Sequence, residues 1–423
     1  MQCNAVAKAG LPELALWRLM LTQDLLHALP KTDLHVHLDG SLRIESLIEM
    51  ARERGVSLPS NSPDGLRELV FKPSYSSLSE YLTGFALTGA VLQDPEALER
   101  SAYELALDNL EENVCYIEVR FAPQLHMSPK MSMERVVRAV ASGLERAQRE
   151  HANKPEVMDG TLPPFHFGLI LCAMRMFEPG FSAWFSDFCG ALGESKPNTL
   201  YAEAAEQLAR GAVRLRDAGL PIVAFDLAGH EAGHPAVHYK PAFMHAHRHF
   251  LARTIHAGEA YGPESIYQAI AECHADRIGH GYHLFSPEAV ADPSVTDPQA
   301  YCEDLAQYLA DRRTTIEVCI TSNMQTNPSI GDVRNHAFRK MLDHKLSATL
   351  CTDNRLVSHT TVTREYAIAV QAFDMTPSQL KNTVVYGFKR SFFPGAYQEK
   401  RAYVRQCMAR YETVFAAHTG QQA

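Results

Sequence analysis

Short apolar runs rich in β-branched residues recur along the chain, and segments with apolar residues at helical spacing lie between them. Apolar runs of roughly four to eight residues predict buried strands, whereas apolar positions three or four apart predict amphipathic helices. The strand pattern fits residues 31–40, 114–122, 165–174, 221–229, 253–259, 276–281, 314–321 and 347–353. The chain is therefore predicted to belong to the α/β class.

The alternation of these strands and helices along the whole chain predicts a (β/α)8 TIM barrel, with residues 1–423 as a single domain. No shift in composition marks a linker between two domains. A doubly wound open sheet is the alternative. The barrel is favoured because polar residues collect at the carboxyl ends of strands throughout the chain, whereas an open sheet gathers its ligands around one switch point.

Three segments extend the predicted barrel: a helix within residues 1–29, an insertion at residues 41–110 that contains a lid, and helices over residues 376–423. Charged residues interrupt the apolar N-terminal stretch at helical spacing, which argues against a signal sequence or a membrane span. In the insertion, one helical face carries four apolar side chains, Leu78, Tyr81, Leu82 and Phe85. This face predicts either a cover over a site at the end of the first strand or a part of the core.

The composition narrows the class of partner. Of the 423 residues, 46% are hydrophobic and 21% are charged, and the formal net charge is -9. Nucleic acid or an anionic membrane would need a clustered basic face, so a small polar molecule is the expected partner. The nine cysteines are odd in number, scattered and mostly set in apolar runs, which predicts reduced thiols and a cytoplasmic location. The sequence leaves the oligomeric state open.

The first predicted strand contains two histidines that could bind a metal ion. His35 and His37 are two residues apart among apolar residues, and a strand with period two points both imidazoles to one face. The strand stops at Asp39 and Gly40, where the chain is expected to turn. Two ligands are not enough, because a catalytic zinc site needs about three protein ligands and an open position for water.

Further ligands stand at the ends of other predicted strands. His256 lies at the end of the fifth strand and Asp353 at the end of the eighth. Together with His35 and His37, they form a set of imidazole and carboxylate ligands that suits one Zn²⁺ per chain better than Fe²⁺ or Mn²⁺. Bound zinc can lower the pKa of its water to about 7, which yields hydroxide at neutral pH.

Other polar residues near strand ends are not needed as ligands. Glu259 and His280, at the ends of the fifth and sixth strands, are expected to move protons and to steer the hydroxide. A second histidine-rich stretch, with His245, His247 and His249, repeats the two-residue spacing, but the surrounding pattern is helical. Residues two apart diverge around a helix, so this stretch is interpreted as a solvated helical face.

Five sequence blocks resemble the signature motifs of the adenosine deaminase family of metal-dependent hydrolases. The blocks are Thr-Asp-Leu-His-Val-His-Leu-Asp-Gly-Ser from residue 32, Val-Ala-Phe-Asp-Leu-Ala-Gly from 223, His-Ala-Gly-Glu from 256, Arg-Ile-Gly-His-Gly from 277 and Thr-Ser-Asn-Met-Gln-Thr-Asn from 321. They occur in this order, and the resemblance runs from about residue 30 to residue 394. The combination is specific although each block alone is not.

The resemblance implies a catalytic role at each matching position. The family's zinc ligands correspond to the four residues already identified, His35, His37, His256 and Asp353. Glu259 matches the acid that protonates purine N1. His280 matches the residue that orients and activates the hydroxide.

The resemblance also implies how the substrate is held. Asp39 matches the residue that binds the ribose 5′-hydroxyl, and the backbone N–H of Gly229 matches the group that meets purine N3. The family's gate helix corresponds to residues 78–85, with Leu78 and Phe85 against the pocket. Where the family has two aspartates and Pro, this chain reads Asp-Asn354-Arg. An Asn amide donates to N7 without the raised pKa that an aspartate would need, so a purine still fits but its identity is open.

The expected function is zinc-dependent hydrolytic deamination of an adenine nucleoside, which converts adenosine or deoxyadenosine to inosine or deoxyinosine and ammonia. An alternative keeps this chemistry but acts on free adenine, methylthioadenosine or another adenine-bearing metabolite. A catalytically silent purine-binding protein is a second class, but Glu259 and His280 argue against it because a structural metal site needs neither. Deaminases that act on flipped-out bases carry a Pro-Cys-x-x-Cys motif, which the sequence lacks.

Overall fold

Eight parallel strands form the centre of the computed structural model, which describes residues 20–193 and 195–420. The strands pair with their neighbours in chain order. They are β1 (Lys31–His37), β2 (Val114–Phe121), β3 (His166–Met174), β4 (Ile222–Ala228), β5 (Ala252–Ala257), β6 (Arg277–His280), β7 (Thr315–Val318) and β8 (Ser347–Leu350). The predicted (β/α)8 barrel is confirmed, and each predicted strand is present.

The barrel closes between β1 and the residues that follow β8. Val36 and Asp353 form a parallel bridge. The backbone N–H of His37 donates to the carbonyl oxygen of Asp353 at 2.7 Å, and the N–H of Asp353 donates to the carbonyl of His35 at 2.8 Å. The seam of the barrel therefore brings three of the predicted metal ligands together through backbone hydrogen bonds alone.

Helices surround the barrel and cover its ends. The described α-helices are α1 (Gln23–Ala28), α2 (Ile44–Arg54), α3 (Pro63–Leu69), α4 (Leu78–Leu82), α5 (Gly84–Val91), α6 (Pro95–Glu111), α7 (Met133–Ala152), α8 (Pro155–Met158), α9 (Ala183–Leu192), α10 (Pro197–Asp217), α11 (Lys240–Arg248), α12 (Pro263–Tyr267), α13 (Pro298–Arg312), α14 (Ile320–Thr326), α15 (Phe338–Asp343), α16 (Val362–Phe373), α17 (Pro377–Arg390) and α18 (Tyr397–Thr419). Among these residues, no helix combines the length and apolar character that crossing a bilayer requires.

Buried charges occupy the interior of the barrel between otherwise apolar strands. Strands β2, β6, β7 and β8 are buried at every position, as expected for a parallel sheet covered on both faces. Arg120 Nη2 contacts Glu317 Oε2 at 2.7 Å, and Arg277 Nε contacts Glu317 Oε1 at 2.6 Å. Arg277 also pairs with Glu118. Removing one member of such a buried set leaves its partners unpaired, at a cost of roughly 3–5 kcal/mol.

The predicted ends of the strands differ from the observed ends by up to three residues. The seventh strand was expected to reach residue 321, but β7 ends at Val318 and α14 begins at Ile320. The buried apolar run continues through Cys319 and Ile320 into the first turn of this helix, where the Glu365 side chain accepts the backbone N–H of Thr321 at 3.2 Å. The predicted N-terminal helix falls largely outside the described residues, which include its last part as α1.

Candidate metal and catalytic site

The four predicted metal ligands converge at the carboxyl end of the barrel. One ligand atom from each of His35, His37, His256 and Asp353 lies within 4.8 Å of the other three. The Nε2 atom of His256 is 3.0 Å from that of His35 and 3.1 Å from that of His37. Asp353 Oδ1 is 3.4 Å and 3.5 Å from the same two nitrogens. Ligands about 2.1 Å from a tetrahedral ion are separated by roughly 3.4 Å, so the spacing suits zinc.

Two buried carboxylates orient these imidazoles. His35 Nδ1 is 2.8 Å from Glu317 Oε2, and His256 Nδ1 is 3.1 Å from Asp226 Oδ2. Burial opposes ionisation of both carboxyls, but Arg120 and Arg277 hold the pKa of Glu317 well below its usual range, and His256 and Arg120 lower that of Asp226. An ionised carboxylate only accepts hydrogen bonds, so each Nδ1 carries the proton.

The convergence of unprotonated nitrogens is the structural feature that fits a cation. In the neutral form of each ring the single proton lies on Nδ1, so the facing Nε2 atoms of His35 and His256 then place their lone pairs 3.0 Å apart. Two lone pairs at this distance repel unless a positive charge lies between them. Ser322 also donates to Asp353 Oδ2 at 2.6 Å, which leaves Asp353 Oδ1 free to bind an ion together with the histidine nitrogens. The donor set, three imidazoles and one carboxylate, is one that Zn²⁺ prefers.

Glu259 and His280 lie beside this cluster, as predicted, and share Asp353 as a neighbour. Glu259 Oε1 is 3.7 Å from His280 Nε2, which is too long for a hydrogen bond. Burial, reinforced by the negative charges of Asp353 and Glu231, raises the pKa of Glu259 well above its usual range. A carboxyl that keeps its proton at neutral pH can serve as a proton donor.

The turn that carries Glu259 is held by a residue that the sequence analysis did not identify. The Glu231 carboxylate accepts the backbone N–H groups of Gly258 at 2.8 Å, Glu259 at 2.9 Å and Ala260 at 2.6 Å. It also accepts the hydroxyl of Ser265. Four donors on one buried carboxylate fix the backbone on which Glu259 stands, and no local sequence signal predicts this arrangement.

The carboxylates behind the histidines were also missed, although a signal existed. Asp226 lies in β4 and Glu317 in β7, each inside an apolar run that buries the residue completely. Charged residues are almost never fully buried unless they are paired. A charged residue inside a predicted barrel strand is therefore a usable indication of a buried partner, here an imidazole on another strand of the barrel.

A cavity of about 730 Å³ opens next to the ligand cluster. All of the predicted substrate-binding residues lie in its wall, namely Asp39, Leu78, Phe85, Gly229 and Asn354. Helices α4 and α5 supply one side of the wall, so this face covers the cavity as well as packing against the core. The predicted solvated histidines, by contrast, lie on or directly after α11 and do not line the cavity.

Asn354 takes part in a hydrogen-bond network with the covering helix. Its Nδ2 donates to the Tyr81 hydroxyl at 2.7 Å, and that hydroxyl is 2.7 Å from Ser358 Oγ. Its Oδ1 is buried without a hydrogen-bond partner among the described residues. The side chain lies directly over Gly40, where a Cβ atom would stand only 1.8 Å from Oδ1. Glycine is thus required at position 40 by the close approach of the amide.

Comparison with known proteins places these features in context. The family model described as "Adenosine deaminase" matches residues 30–202 and 196–406. The chain is 36% identical to the adenosine deaminase of Mycobacterium tuberculosis over 368 residues, 86% of this chain and 90% of that protein. It is 35% identical to the adenosine deaminase of Mycobacterium avium over 367 residues, 86% and 91% of the two chains. The crystallised N6-methyl-AMP deaminase of Arabidopsis thaliana is 25% identical, with a TM-score of 0.69 and coverage of 92% and 98%.

We expect the chain to bind about one divalent ion, because four buried donors converge on one point. The variant His256→Ala should lose the ion, whereas His249→Ala, a change in the exposed histidine stretch, should retain it. The measurements are the metal content by elemental analysis and the rise in thermal unfolding temperature on adding Zn²⁺, since a ligand that binds only the folded state stabilises it. Equal metal loss from both variants would contradict the assignment of the site.

Proposed function

The chain belongs to the adenosine deaminase family, and from that membership we propose that it deaminates adenosine or deoxyadenosine to inosine or deoxyinosine with release of ammonia. Members of this family are metal-dependent aminohydrolases that act on cyclic amidines, so the chain is a deaminase of adenine compounds. The proposal is carried by the convergence of four ligands beside the cavity, whose wall includes three of them, His37, His256 and Asp353, together with Glu259 and His280.

The residues present fit Zn²⁺ as the ion, with His35, His37, His256 and Asp353 as its protein ligands. When bound, the ion supplies a water that ionises near neutral pH. Glu317 and Asp226 keep the Nε2 atoms of His35 and His256 free of protons for this role. These two outer carboxylates thus set the tautomer of two ligands before any ion arrives.

Glu259 is the proposed acid that protonates purine N1. Electron density accumulates at N1 as oxygen adds to C6, and a proton delivered there relieves it in the transition state. The protonated state of Glu259 that burial favours is the state that this role needs. Glu231 maintains its position through the three backbone bonds of the turn. His280, whose Nε2 is 3.7 Å from Glu259 Oε1, steers the attacking oxygen.

The ribose is proposed to lie near Asp39, and purine N3 near the backbone N–H of Gly229. Asp39 Oδ1 is buried without a hydrogen-bond partner among the described residues, so it is available to accept from a hydroxyl. Gly229 has a φ of 98°, in the region that favours glycine, at the end of β4. Free adenine would leave the Asp39 acceptor unpaired, and the nucleoside is therefore preferred over the base.

The cavity wall favours a nucleoside over a nucleotide. Although the Arabidopsis relative is an N6-methyl-AMP deaminase, the described residues that line this cavity include neither Lys nor Arg. The part of the wall away from the ligands carries apolar side chains such as Leu125, Met174 and Phe181. A phosphate dianion placed there would lose hydration without a compensating positive charge.

A substrate panel tests this preference. We expect kcat/KM for adenosine and deoxyadenosine to exceed that for AMP by at least about 100-fold, roughly 2.7 kcal/mol of transition-state stabilisation. Asp39→Ala should reduce turnover of the nucleosides and barely change that of free adenine. Ammonia release and the absorbance change of the purine give both rates. A wild-type preference for AMP would overturn the proposed substrate, and equal losses on nucleoside and base would remove Asp39 from ribose recognition.

Glu259→Gln should lower kcat on adenosine by roughly 100-fold or more, the usual effect of losing a general acid, with metal content unchanged. Glu264→Gln provides the matched control, because Glu264 is buried on the following helix but does not line the cavity. The control should retain near wild-type kcat. If Glu259→Gln emptied the metal site, then Glu259 would be a ligand and its proposed role would be wrong.

Asn354 is proposed to read purine N7, an acceptor. The two ends of an amide have nearly the same shape, so the side chain can turn to present Nδ2 to the base while the Tyr81 hydroxyl donates to Oδ1. The 7-deaza analogue of adenosine would leave that donor unpaired, at about 1–3 kcal/mol, so kcat/KM should fall roughly 5- to 150-fold. Asn354→Leu should remove most of this difference. Equal wild-type turnover of adenosine and its 7-deaza analogue would show that Asn354 does not read N7.

A further inference from the structure

Two buried side chains, those of Asn323 and His336, connect His280 to a backbone N–H outside the cavity wall. The N–H of Phe338 donates to His336 Nδ1 at 3.1 Å, and His336 Nε2 is 3.2 Å from Asn323 Oδ1. Asn323 Nδ2 is 3.1 Å from His280 Nδ1. His280, Asn323 and His336 are each at most 1% exposed, so water does not compete for these contacts.

The polarity of this chain is determined at its first bond. A backbone N–H can only donate, so His336 Nδ1 accepts. Burial lowers the pKa of His336 to about 3, and the neutral ring therefore carries its single proton on Nε2. That N–H donates to Asn323 Oδ1, which directs the Asn323 NH₂ group toward His280. His280 Nδ1 must then accept, and its proton resides on Nε2.

We propose that His336 and Asn323 are positioning residues that hold His280 as its Nε2–H tautomer, so that His280 acts as a hydrogen-bond donor and not as a base. The inference deepens the proposed deamination and rests on it. The His280 Nε2 atom is buried without a partner among the described residues and faces the cavity. Its N–H is therefore available to the oxygen that adds to C6, and the ring keeps its proton throughout.

Two consequences follow from this tautomer. First, a protonated Nε2 has no lone pair for a metal ion, so the neighbouring group of Glu259, His280 and Asp353 is not the metal site, although its atoms are close enough together. Second, a proton added to Nδ1 of His280 would face the NH₂ group of Asn323, which has no lone pair to accept it. Glu259, and not His280, is therefore the group that supplies the proton to N1 in the proposed reaction.

The tautomer can be read directly by ¹⁵N NMR of the metal-loaded protein with labelled histidines. The His280 signals are assigned by their absence in His280→Gln. At neutral pH they should show a neutral ring with the proton on Nε2. A proton on Nδ1, or on both nitrogens, would overturn the inference. This readout requires no turnover, so it is distinct from a failure of the proposed function, which would appear as a wild-type enzyme that does not deaminate adenosine.

Variants of the two positioning residues test the connection. Asn323→Asp has the same shape, but its carboxylate accepts from His280 Nδ1–H and should move the proton to that nitrogen and lower kcat at least 10-fold. His336→Gln retains a donor toward Asn323 and should keep the wild-type tautomer and rate. His336→Phe retains the ring volume but not the donor, and should lower kcat several-fold with mixed tautomers.

The comparison of the two His336 variants separates positioning from packing. If His336 only fills space, then Phe should be tolerated better than Gln, and the His280 signals should not change in either variant. That outcome would overturn the inference. Thermal unfolding and metal content are measured for each protein, and the His336 pair decides the question if Asn323→Asp does not fold.

Discussion

The structure of the site depends on the pairing of buried carboxylates with the outer nitrogens of the metal-site histidines. Glu317 and Asp226 accept from Nδ1 of His35 and His256, and Arg120 contacts both carboxylates, at 2.7 and 2.9 Å. An imidazole has only two nitrogens, so occupying one as a donor leaves the other as a lone pair of known direction. The charged residues Glu317, Asp226 and Arg120 inside the barrel thus orient the histidines at the carboxyl ends of the strands.

The barrel closes beside these ligands, between its first strand and the residues after its last strand. The bonds between β1 and the residues after β8 bring the two histidines of β1 and Asp353 to one seam. Asp353 has a φ of 61°, and His280 a φ of 63°, in the left-handed region that costs a non-glycine residue about 1 kcal/mol or more. Strained backbone at the ends of two strands, β6 and β8, is typical of functional sites. The hydrogen-bonded surroundings of both residues maintain it.

The strands and the chemistry at their ends were predictable from the sequence, because buried parallel strands read as apolar runs and polar residues at their ends stand out. Partners that are distant in sequence were not predictable. Nothing near Glu259 indicates that Glu231 holds its turn, and nothing near His280 indicates that His336 sets its proton. The end of β7 was placed too late because the buried apolar run continues through Cys319 and Ile320 into α14. The periodicity of apolar residues in the sequence indicates which positions are buried, whereas hydrogen bonds between residues distant in sequence form only in the folded chain.

We propose that the metal ion lies among the three histidines and Asp353, and not in the adjoining group of Glu259, His280 and Asp353. A crystal structure of the zinc-loaded protein, with an anomalous difference map measured at the zinc absorption edge, tests this most directly. We expect one peak about 2.0–2.2 Å from Nε2 of His35, His37 and His256 and from an oxygen of Asp353. A peak coordinated by Glu259 and His280 would contradict both the ligand assignment and the proposed roles of these two residues.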